Sequence, residues 1–276
     1  MSKATNNKES NSLKAVIFDW AGTTVDFGCF APTGVFVEVF RQKGIDITIE
    51  EARGPMGMHK RDHIRVISAL PRIQEEWKKR YHRLCSEEDI EEMFTNFIPL
   101  QLQIIEKYSE TVPELSEALE AMQLKGLKIG STTGYNNEMM EILIRLAARQ
   151  GYQPDAVVCA TDVSAGRPAP WMAFKNAELL QVYPMHHIVK IGDTVADIRE
   201  GINAGMWSVG VVQSSNEMGH TRDEILAMPT ALYKEKFDKV KKKFLNAGAH
   251  YVIDTLAETD KLIDTINERL LRGEKA

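Results

Sequence analysis

A short apolar run that ends in an acidic residue limits the possible folds of this chain more than any other segment. Ala15–Phe18 is apolar and partly β-branched, and Asp19 follows it directly, shortly before a Gly-Thr-Thr turn. Such a run is typical of a buried strand in an open parallel sheet, in which ligands bind just beyond the carboxyl ends of the strands. Asp19 is therefore predicted to lie at a strand tip as a covalent nucleophile, a metal ligand or both. This segment alone is equally compatible with an aspartate that only caps a turn.

Strand-like and helix-like segments alternate along most of the sequence. Six apolar runs are predicted to be strands, at 14–18, 127–132, 155–159, 187–192, 207–212 and 249–253. Helical periodicity separates the later runs, as in 137–150, which stops at Gly151, and in 194–204, which stops at Gly205. This alternation indicates an α/β fold built on a doubly wound parallel sheet.

The interval 20–126 departs from this alternation, because it lacks a good strand pattern. Its helical patterns cover 34–43, 58–70 and 86–107. Thr48 and Glu51 have the spacing of a capping box, which marks the start of a helix. A crossover between parallel strands needs only about a dozen residues, so most of this interval is surplus to the sheet.

The extra length of the interval 20–126 predicts a chain with two domains and a terminal tail. Residues 27–107 are predicted to form an α-helical cap domain, inserted directly after the strand that carries Asp19. Residues 13–26 and 108–276 are predicted to form the α/β core domain, and residues 1–12 a flexible tail. A cap at this position can close over Asp19 and exclude water from the reaction.

Charge and cysteine content narrow the class of partner and the compartment. The formal net charge of −5 argues against a nucleic-acid-binding protein. The cysteines, Cys29, Cys85 and Cys159, are scattered and lack metal-ligand spacing, which suits a reducing compartment. Residues 1–12 are polar and no apolar run approaches transmembrane length, so a cytoplasmic protein without membrane contact is predicted.

Two segments supply groups that suit a phosphate or a phosphonate. The predicted strand at 127–132 runs into Thr133 and a glycine, just before a helix start, where hydroxyl and free N–H groups form a natural phosphate site. Arg167 lies in a proline-flanked turn, and a guanidinium recognises phosphate through paired hydrogen bonds. Each segment also has an ordinary interpretation, as hydroxyls that cap a turn and as an exposed loop arginine.

A further segment points to a metal ion. Asp193 follows the predicted strand at 187–192, and Asp197 lies four residues later on the next helix. If Asp193 and Asp19 lie at neighbouring strand tips, their carboxylates repel each other unless a cation lies between them. Oxygen ligands of this kind suit Mg²⁺. Asp197 is predicted to orient the surroundings of the site or to contact the cap, and the alternative is a purely structural aspartate in the first turn of a helix.

In this order along the chain, these segments resemble the motifs of the haloacid dehalogenase superfamily. The first motif of the superfamily reads Asp-x-Asp-x-Thr, and Asp19 and Thr23 fit it. The resemblance covers nearly the whole chain and implies a Rossmann-like core, an inserted helical cap and attack on the substrate by Asp19. Position 21 differs, because Ala21 stands where the phosphatases of the superfamily carry an aspartate that protonates the leaving oxygen. The leaving group must then be one that needs no proton from this position.

A carbanion delocalised into an imine is a leaving group of that kind, and it requires an amine in the lid. The predicted cap offers Lys60 within Arg-Gly-Pro-Met-Gly-Met-His-Lys. The chain, from Asp-Trp-Ala-Gly-Thr-Thr-Val-Asp through Gly-Ser-Thr-Thr-Gly-Tyr and Ala-Gly-Arg-Pro to Gly-Met-Trp-Ser-Val-Gly, closely resembles the phosphonatase family. This resemblance implies cleavage of the carbon–phosphorus bond of phosphonoacetaldehyde to acetaldehyde and phosphate. It also implies a Schiff base on Lys60 and an aspartyl phosphate on Asp19.

The same resemblance implies where the other groups act. It assigns Mg²⁺ to Asp19, the Ala21 carbonyl and Asp193. It assigns contacts with the substrate phosphonate to Thr133 and Arg167. It further implies a homodimer that packs through the cap domains.

A Schiff base makes a demand on Lys60, because a lysine with a pKa of about 10.4 is neutral in only about one molecule in 2,500 at pH 7. Burial against Met56, with cations nearby, would favour the neutral amine. His63 lies three residues beyond Lys60 on the same helical face, where it can shuttle protons during imine formation. A solvated helix lysine and a partly buried surface histidine are the ordinary alternatives.

Two other functions fit parts of the sequence. A sugar-phosphate phosphatase or mutase of the same fold would use Asp19 and Asp193, but Ala21 cannot protonate an oxygen leaving group. A catalytically inactive binding protein is the other alternative. Such a protein would not need the nucleophile, Lys60, Arg167 and the second carboxylate together.

Overall fold

The computed structural model describes residues 11–276, and in this range six strands form a single parallel sheet. The strands are β1 Ala15–Phe18, β2 Lys128–Thr133, β3 Ala156–Cys159, β4 Ile188–Gly192, β5 Trp207–Val211 and β6 Tyr251–Ile253. Their order across the sheet is β3-β2-β1-β4-β5-β6, and all neighbouring pairs are parallel. Each strand overlaps one of the predicted runs, and the doubly wound parallel sheet is confirmed.

Helices connect these strands and fill the long interval between β1 and β2. Over the described residues they are α1 Phe30–Gln42, α2 Ile49–Arg53, α3 Lys60–Ser68, α4 Pro71–Tyr81, α5 Glu87–Ile104, α6 Leu115–Leu124, α7 Asn137–Ala148, α8 Trp171–Leu180, α9 Val195–Asn203, α10 Arg222–Ala227, α11 Thr230–Asn246 and α12 Thr259–Leu271. Helices α1 to α5 lie in the interval 27–107, for which the sequence predicts a cap. The later helices alternate with the strands, as predicted.

The helices of the cap interval follow the sequence prediction with one addition. Capping boxes are present at Thr48 before α2 and at Ser86 before α5. The helix predicted over 58–70 stops before Pro71, as expected, but Pro71 then begins α4. Proline suits the first position of a helix, where its missing N–H group has no intrahelical partner to lose. The proline predicted to end one helix therefore also begins the next helix.

The helices of the cap interval share one hydrophobic cluster with a face of the sheet. Helices α1 and α3 both pack against α5. In the contact between α1 and α5, the ring centroids of Phe36 and Phe97 lie 4.7 Å apart. Their buried apolar side chains join those of one sheet face in a continuous cluster. The cap helices therefore cover the edge of the sheet at which β1 ends. The boundaries 27–107 of a separate cap domain remain a prediction.

The chain turns sharply where it leaves β1 for the helices. Asp26, Gly28 and Cys29 have positive φ angles of 54°, 86° and 55°. The Asp26 carboxylate accepts hydrogen bonds from the backbone N–H groups of Phe30 at 3.0 Å and Ala31 at 2.9 Å. These bonds satisfy the first N–H groups of α1. Burial nevertheless raises the pKa of Asp26 to about 7.

Two further expectations concern the chain terminus and membranes. The predicted flexible tail at 1–12 falls largely on residues 1–10, which lie outside the described residues. Next to it, His187 Nδ1 lies 2.6 Å from the Ser12 carbonyl oxygen. Over residues 11–276, every helix is too short or too polar to span a bilayer.

Gly210 of β5 faces Phe244 of α11 without room for a larger side chain. A Cβ atom on Gly210 would lie 2.3 Å from the Phe244 ring. We expect Gly210→Ala to lower the free energy of unfolding by about 1–3 kcal/mol, because overpacking displaces the ring. The matched control is Gly34→Ala in α1, where no atom lies within 4 Å and alanine should stabilise the helix by about 0.5–1 kcal/mol. Urea unfolding measures both, and a Gly210→Ala variant as stable as the parent would contradict the packing of α11 on β5.

Candidate active site

The carboxyl ends of three adjacent strands bring the predicted site residues together. Asp19 directly follows β1 and donates its backbone N–H to the Ile191 carbonyl of β4 at 3.0 Å. Thr133 is the last residue of β2, and Asp193 directly follows β4. All three side chains are buried. One edge of the sheet therefore carries a candidate nucleophile, a hydroxyl group and a second carboxylate.

Arg167 extends across this edge and contacts several carboxylates. Its Nη2 donates to Asp19 Oδ1 at 2.8 Å and its Nε to Glu200 Oε2 at 2.9 Å. Its Nη1 lies 3.1 Å from Asp197 Oδ1, and Nη2 also donates to the Thr132 carbonyl at 2.7 Å. Burial alone would lower the pKa of Arg167, but these carboxylates raise it well above its usual value. Arg167 is thus a fixed, fully buried cation, and the alternative of an exposed loop arginine is wrong.

Lys190 is the second buried cation at this edge. It lies within β4, and its Nζ donates to Asp197 Oδ1 at 2.8 Å and lies 3.7 Å from Glu200 Oε2. Thr194 Oγ1 donates to Asp197 Oδ2 at 2.6 Å. Burial opposes the charged form of Asp197, but the cations of Arg167 and Lys190 hold its pKa below the usual range. Asp197 is therefore an ionised carboxylate that orients Arg167 and Lys190.

The buried cluster contains more acidic than basic groups. Its four carboxylates and two cations are those of Asp19, Asp193, Asp197, Glu200, Arg167 and Lys190. With Asp197 and Glu200 matched by the two cations, the charges of Asp19 and Asp193 are left in formal excess. Burial, followed by the carboxylates of Asp19 and Asp197, raises the pKa of Asp193 well above its usual value. The site therefore disfavours a second charged carboxylate unless a further cation is added.

The arrangement of these carboxylates fits a divalent metal ion. Oxygen atoms of Asp19, Asp193 and Asp197 lie within 4.8 Å of one another. Asp197 contacts two cations and Asp19 contacts one, Arg167, whereas Asp193 contacts no basic side chain among residues 11–276. Ala21 borders the same cavity as Asp19. An all-oxygen donor set with more acidic than basic groups suits a hard divalent cation.

Gly22 permits the close approach of Asp193 to the loop after β1. Gly22 has a φ of +87°, and a Cβ atom on it would lie 2.2 Å from Asp193 Oδ2. The Thr23 hydroxyl donates to Asp193 Oδ1 at 3.0 Å, and the Asn216 backbone N–H donates to Oδ2 at 2.8 Å. Asp193 is therefore held in one orientation by two separate loops.

Lys60 reaches the site from the cap helices. It is the first residue of α3 and is only 5% exposed. Its Nζ lies 4.7 Å from the centroid of the Tyr135 ring and 5.7 Å from that of Phe36. It borders a cavity of about 20 Å³ between cap and core. The lining of this cavity includes Asp19, Ala21, Met56, Lys60, Thr133 and Arg167.

Burial lowers the pKa of Lys60 to about 8. The Arg167 cation lowers this pKa further, whereas Cys29, Asp19 and Asp26 act in the opposite direction. With a pKa of about 8, about one Lys60 side chain in ten is neutral at pH 7. The predicted burial of Lys60 is confirmed, and the alternative of a solvated helix lysine is wrong.

His63 is fully buried against Phe36, with ring centroids 3.6 Å apart, so a partly buried surface histidine is wrong. Its Nε2 lies 2.8 Å from the Ala52 carbonyl oxygen, which can only accept, so Nε2 carries the proton. Burial and the nearby Lys60 cation hold the pKa of His63 well below its usual value. Nδ1 has no hydrogen-bond partner among residues 11–276, and it is the ring atom able to accept a proton.

Four residues around the site have no counterpart in the sequence-based predictions. Cys29 and Tyr135 border the cavity beside Lys60. Lys190 forms an ion pair with Asp197, and Glu200 forms one with Arg167. A signal for Lys190 was present, because a lysine within an apolar strand is rarely buried without an acidic partner. Glu200 lies three residues after Asp197, hence on the same face of α9. Nothing in the local sequence marks Cys29.

Similarity to known proteins extends over the site and the fold. The family of haloacid dehalogenase-like hydrolases matches residues 13–205. Over 94% of its length, the chain is 48% identical to a phosphonoacetaldehyde hydrolase of Bacillus cereus and 49% identical to one of Bacillus mycoides, and it covers 98% of each. It is also similar in structure to a phosphonoacetaldehyde hydrolase-like protein of Oleispira antarctica, with a TM-score of 0.94 and 41% identity over 96% of both chains. The chain therefore belongs to the haloacid dehalogenase-like hydrolases and, within them, to the phosphonoacetaldehyde hydrolase family.

Proposed function

We propose that this protein hydrolyses the carbon–phosphorus bond of phosphonoacetaldehyde, yielding acetaldehyde and phosphate. The observation that carries this proposal is that Lys60 of the cap helices and Asp19 after β1 border one small cavity. An amine opposite a carboxylate nucleophile suits a substrate with an aldehyde at one end and a phosphonate at the other. The names of the Bacillus relatives point to the same reaction.

Lys60 acts first in the proposed reaction. Its neutral Nζ attacks the aldehyde carbon, a water molecule is lost, and a protonated imine forms. Burial, which lowers the pKa of Lys60 to about 8, supplies the neutral amine. His63, three residues along α3, would relay protons through Nδ1 only transiently during this step, because burial holds its pKa well below the usual value.

Asp19 then attacks phosphorus, and the carbon–phosphorus bond breaks. The electron pair of that bond moves into the imine and gives an enamine, so no proton from position 21 is required. Arg167 and Thr133 bind the phosphonate. Arg167 offsets the repulsion between Asp19 and the phosphonate, which is about 4 kcal/mol per charge pair at ~4 Å and an effective dielectric of about 20. After the enamine is protonated on carbon, water hydrolyses the imine and the aspartyl phosphate.

We assign a Mg²⁺ site to Asp19, the Ala21 carbonyl and Asp193. When bound, the ion neutralises negative charge on the carboxylates and on the phosphonate oxygens. The excess acidic charge of the cluster and the raised pKa of Asp193 support this assignment. Thr23 and Asn216 keep the Asp193 carboxylate in place for this role.

Entry of the substrate requires the proposed cap, residues 27–107, to move. The cavity beside Lys60 has a volume of about 20 Å³, which is room for about one water molecule. A two-carbon phosphonate is much larger than that. A cap that opens for the substrate and then closes again keeps bulk water away from the imine until bond cleavage is complete.

We infer that two copies associate through their caps and that the protein works in the cytoplasm. An apolar pocket of about 520 Å³ on the cap surface is lined by residues that include Met58, Val66 and Leu70. Val66 is 40% exposed and Ile49 is 50% exposed. A second copy would remove this patch from water. The free cysteines suit a reducing compartment.

The Schiff base predicts a specific failure in Lys60→Arg. A guanidinium is effectively never a free amine nucleophile, so carbon–phosphorus cleavage should fall by about 10³-fold or more, while phosphate still binds at the core. Borohydride added with acetaldehyde should inactivate the parent enzyme and leave a mass adduct on the peptide that carries Lys60. Lys79→Arg, on the exposed side of α4, is the matched control and should behave as the parent. Substantial activity in Lys60→Arg, with no borohydride adduct, would contradict the Schiff base and favour a phosphatase mechanism of the superfamily.

The metal assignment predicts the behaviour of Asp193→Asn. Loss of one negative ligand should lower turnover by at least about 100-fold at saturating Mg²⁺ with the fold preserved by circular dichroism. Excess chelator should have a comparable effect on the parent enzyme. Asp238→Asn, which removes an exposed carboxylate paired with Lys234, is the control for loss of charge. Full activity of the parent in chelator would show that the reaction needs no metal.

The lowered pKa of Lys60 predicts the pH dependence of imine formation. Only the neutral amine reacts, so the rate of reductive trapping with acetaldehyde and cyanoborohydride should rise about tenfold per pH unit and level off above about pH 8. A lysine with an ordinary pKa would continue to gain rate up to about pH 10.4. Mass spectrometry of the Lys60 peptide at pH values from about 6 to about 11 gives the profile. A plateau that begins only above about pH 10 would contradict the account of Lys60 burial.

A further inference from the structure

A set of hydrogen bonds joins the cap helices to the loop that holds Asp193. Arg53, the last residue of α2, points Nη1 at three oxygen atoms. These are the Gly28 carbonyl oxygen at 2.7 Å, Asn216 Oδ1 at 3.1 Å and the Asn216 carbonyl oxygen at 3.2 Å. In return, Asn216 Nδ2 donates to the Arg53 carbonyl at 3.2 Å. We call this reciprocal contact of Arg53 with Asn216 the clasp.

The clasp connects parts of the molecule that lie far apart in the sequence. Arg53 and Gly28, in the turn before α1, both belong to the proposed cap, and Asn216 belongs to the loop after β5. Asn216 is only 2% exposed, so water does not readily replace its partners. The Gly28 N–H donates to the Ser214 carbonyl at 2.8 Å, which adds a second link between the turn and this loop.

Asn216 connects the clasp directly to Asp193. Its backbone N–H is the donor to Asp193 Oδ2, while Thr23 holds only Oδ1. The Asn216 loop therefore holds one of the two oxygen atoms of this carboxylate. A displacement of the loop would leave Oδ2 without that donor.

We propose that Arg53 and Asn216 are positioning residues that couple closure of the cap to the metal-binding orientation of Asp193. The inference rests on the Mg²⁺ site proposed above. With the cap closed, Arg53 holds Asn216, and Asn216 holds Asp193; with the cap displaced, the loop and the carboxylate lose this restraint. Coupling is reciprocal, so a cation that favours the held orientation of Asp193 favours the closed cap to the same extent.

Mg²⁺ titration by calorimetry, on the full chain without substrate, tests this coupling. Asn216→Ala removes the clasp side chain but keeps the backbone N–H that binds Asp193. We expect Mg²⁺ to bind about 5- to 20-fold more weakly to Arg53→Ala and to Asn216→Ala than to the parent. Arg53→Lys should recover part of the loss, because an ammonium can still donate to one of the oxygen atoms. The double variant should lose less affinity than the product of the two single losses, since the bond from Arg53 Nη1 to Asn216 Oδ1 is removed by both.

Arg72→Ala is the matched control for loss of an arginine from the cap. Arg72 donates to the Glu51 carboxylate and to the Asp46 carbonyl, both within the proposed cap. A second measurement is hydrogen exchange of residues 26–30 with and without Mg²⁺. The parent and Arg72→Ala should gain protection there when Mg²⁺ is added, and the two clasp variants should not.

The outcomes separate this inference from the proposed function. A parent enzyme that binds no Mg²⁺ would remove the metal site and the coupling together. Mg²⁺ binding in the clasp variants within about twofold of the parent, with the same gain of protection, would overturn the coupling and leave the proposed reaction intact. If Arg53→Ala fails to fold, Arg53→Lys and Asn216→Ala decide the question by the same criteria.

Discussion

The burial of four carboxylates at one edge of the sheet governs the rest of the site. Buried charge is costly unless it is matched, and breaking a matched set is costly again. The cations of Arg167 and Lys190 form ion pairs with the carboxylates of Asp197 and Glu200. Together they form a buried ionic cluster below the site. Asp193 has no basic partner among residues 11–276, and burial with neighbouring carboxylates raises its pKa. Such an edge favours the binding of a cation, and the cation proposed above would lower the repulsion of an anionic substrate.

Lys60 has the opposite requirement. The proposed imine needs its neutral amine, although nearby carboxylates favour the charged form. Asp19 and Asp26 stabilise the ammonium, and burial outweighs them, giving a pKa of about 8. If the proposed cap opens, Lys60 would return to water and its pKa would move back towards about 10.4. On this proposal the nucleophilic amine is a property of the closed state, and imine formation is tied to the state that excludes water.

The sequence was sufficient for the sheet, because buried parallel strands are apolar runs and their tips fix where Asp19, Thr133 and Asp193 meet. The starts of helices that carry capping side chains could also be predicted from the sequence. Pro71 shows the limit of local signals, since a proline both ends one helix and begins another. The remaining features depend on contacts between distant segments. The Arg53–Asn216 clasp joins residues 163 positions apart, and no local pattern marks either partner.

The alanine at position 21 follows from the same balance of charge. A carboxylate there would border the cavity that Asp19 lines, close to the carboxylate of Asp193. It would stabilise the protonated form of Asp193 still further and repel an incoming phosphonate. Phosphatases of the superfamily need an acid at this position, because an alkoxide leaving group must receive a proton. In this chain the proposed leaving electrons have another destination, the imine on Lys60. On this proposal, the absence of an acid at position 21 and the presence of a buried amine at position 60 are two consequences of one leaving group.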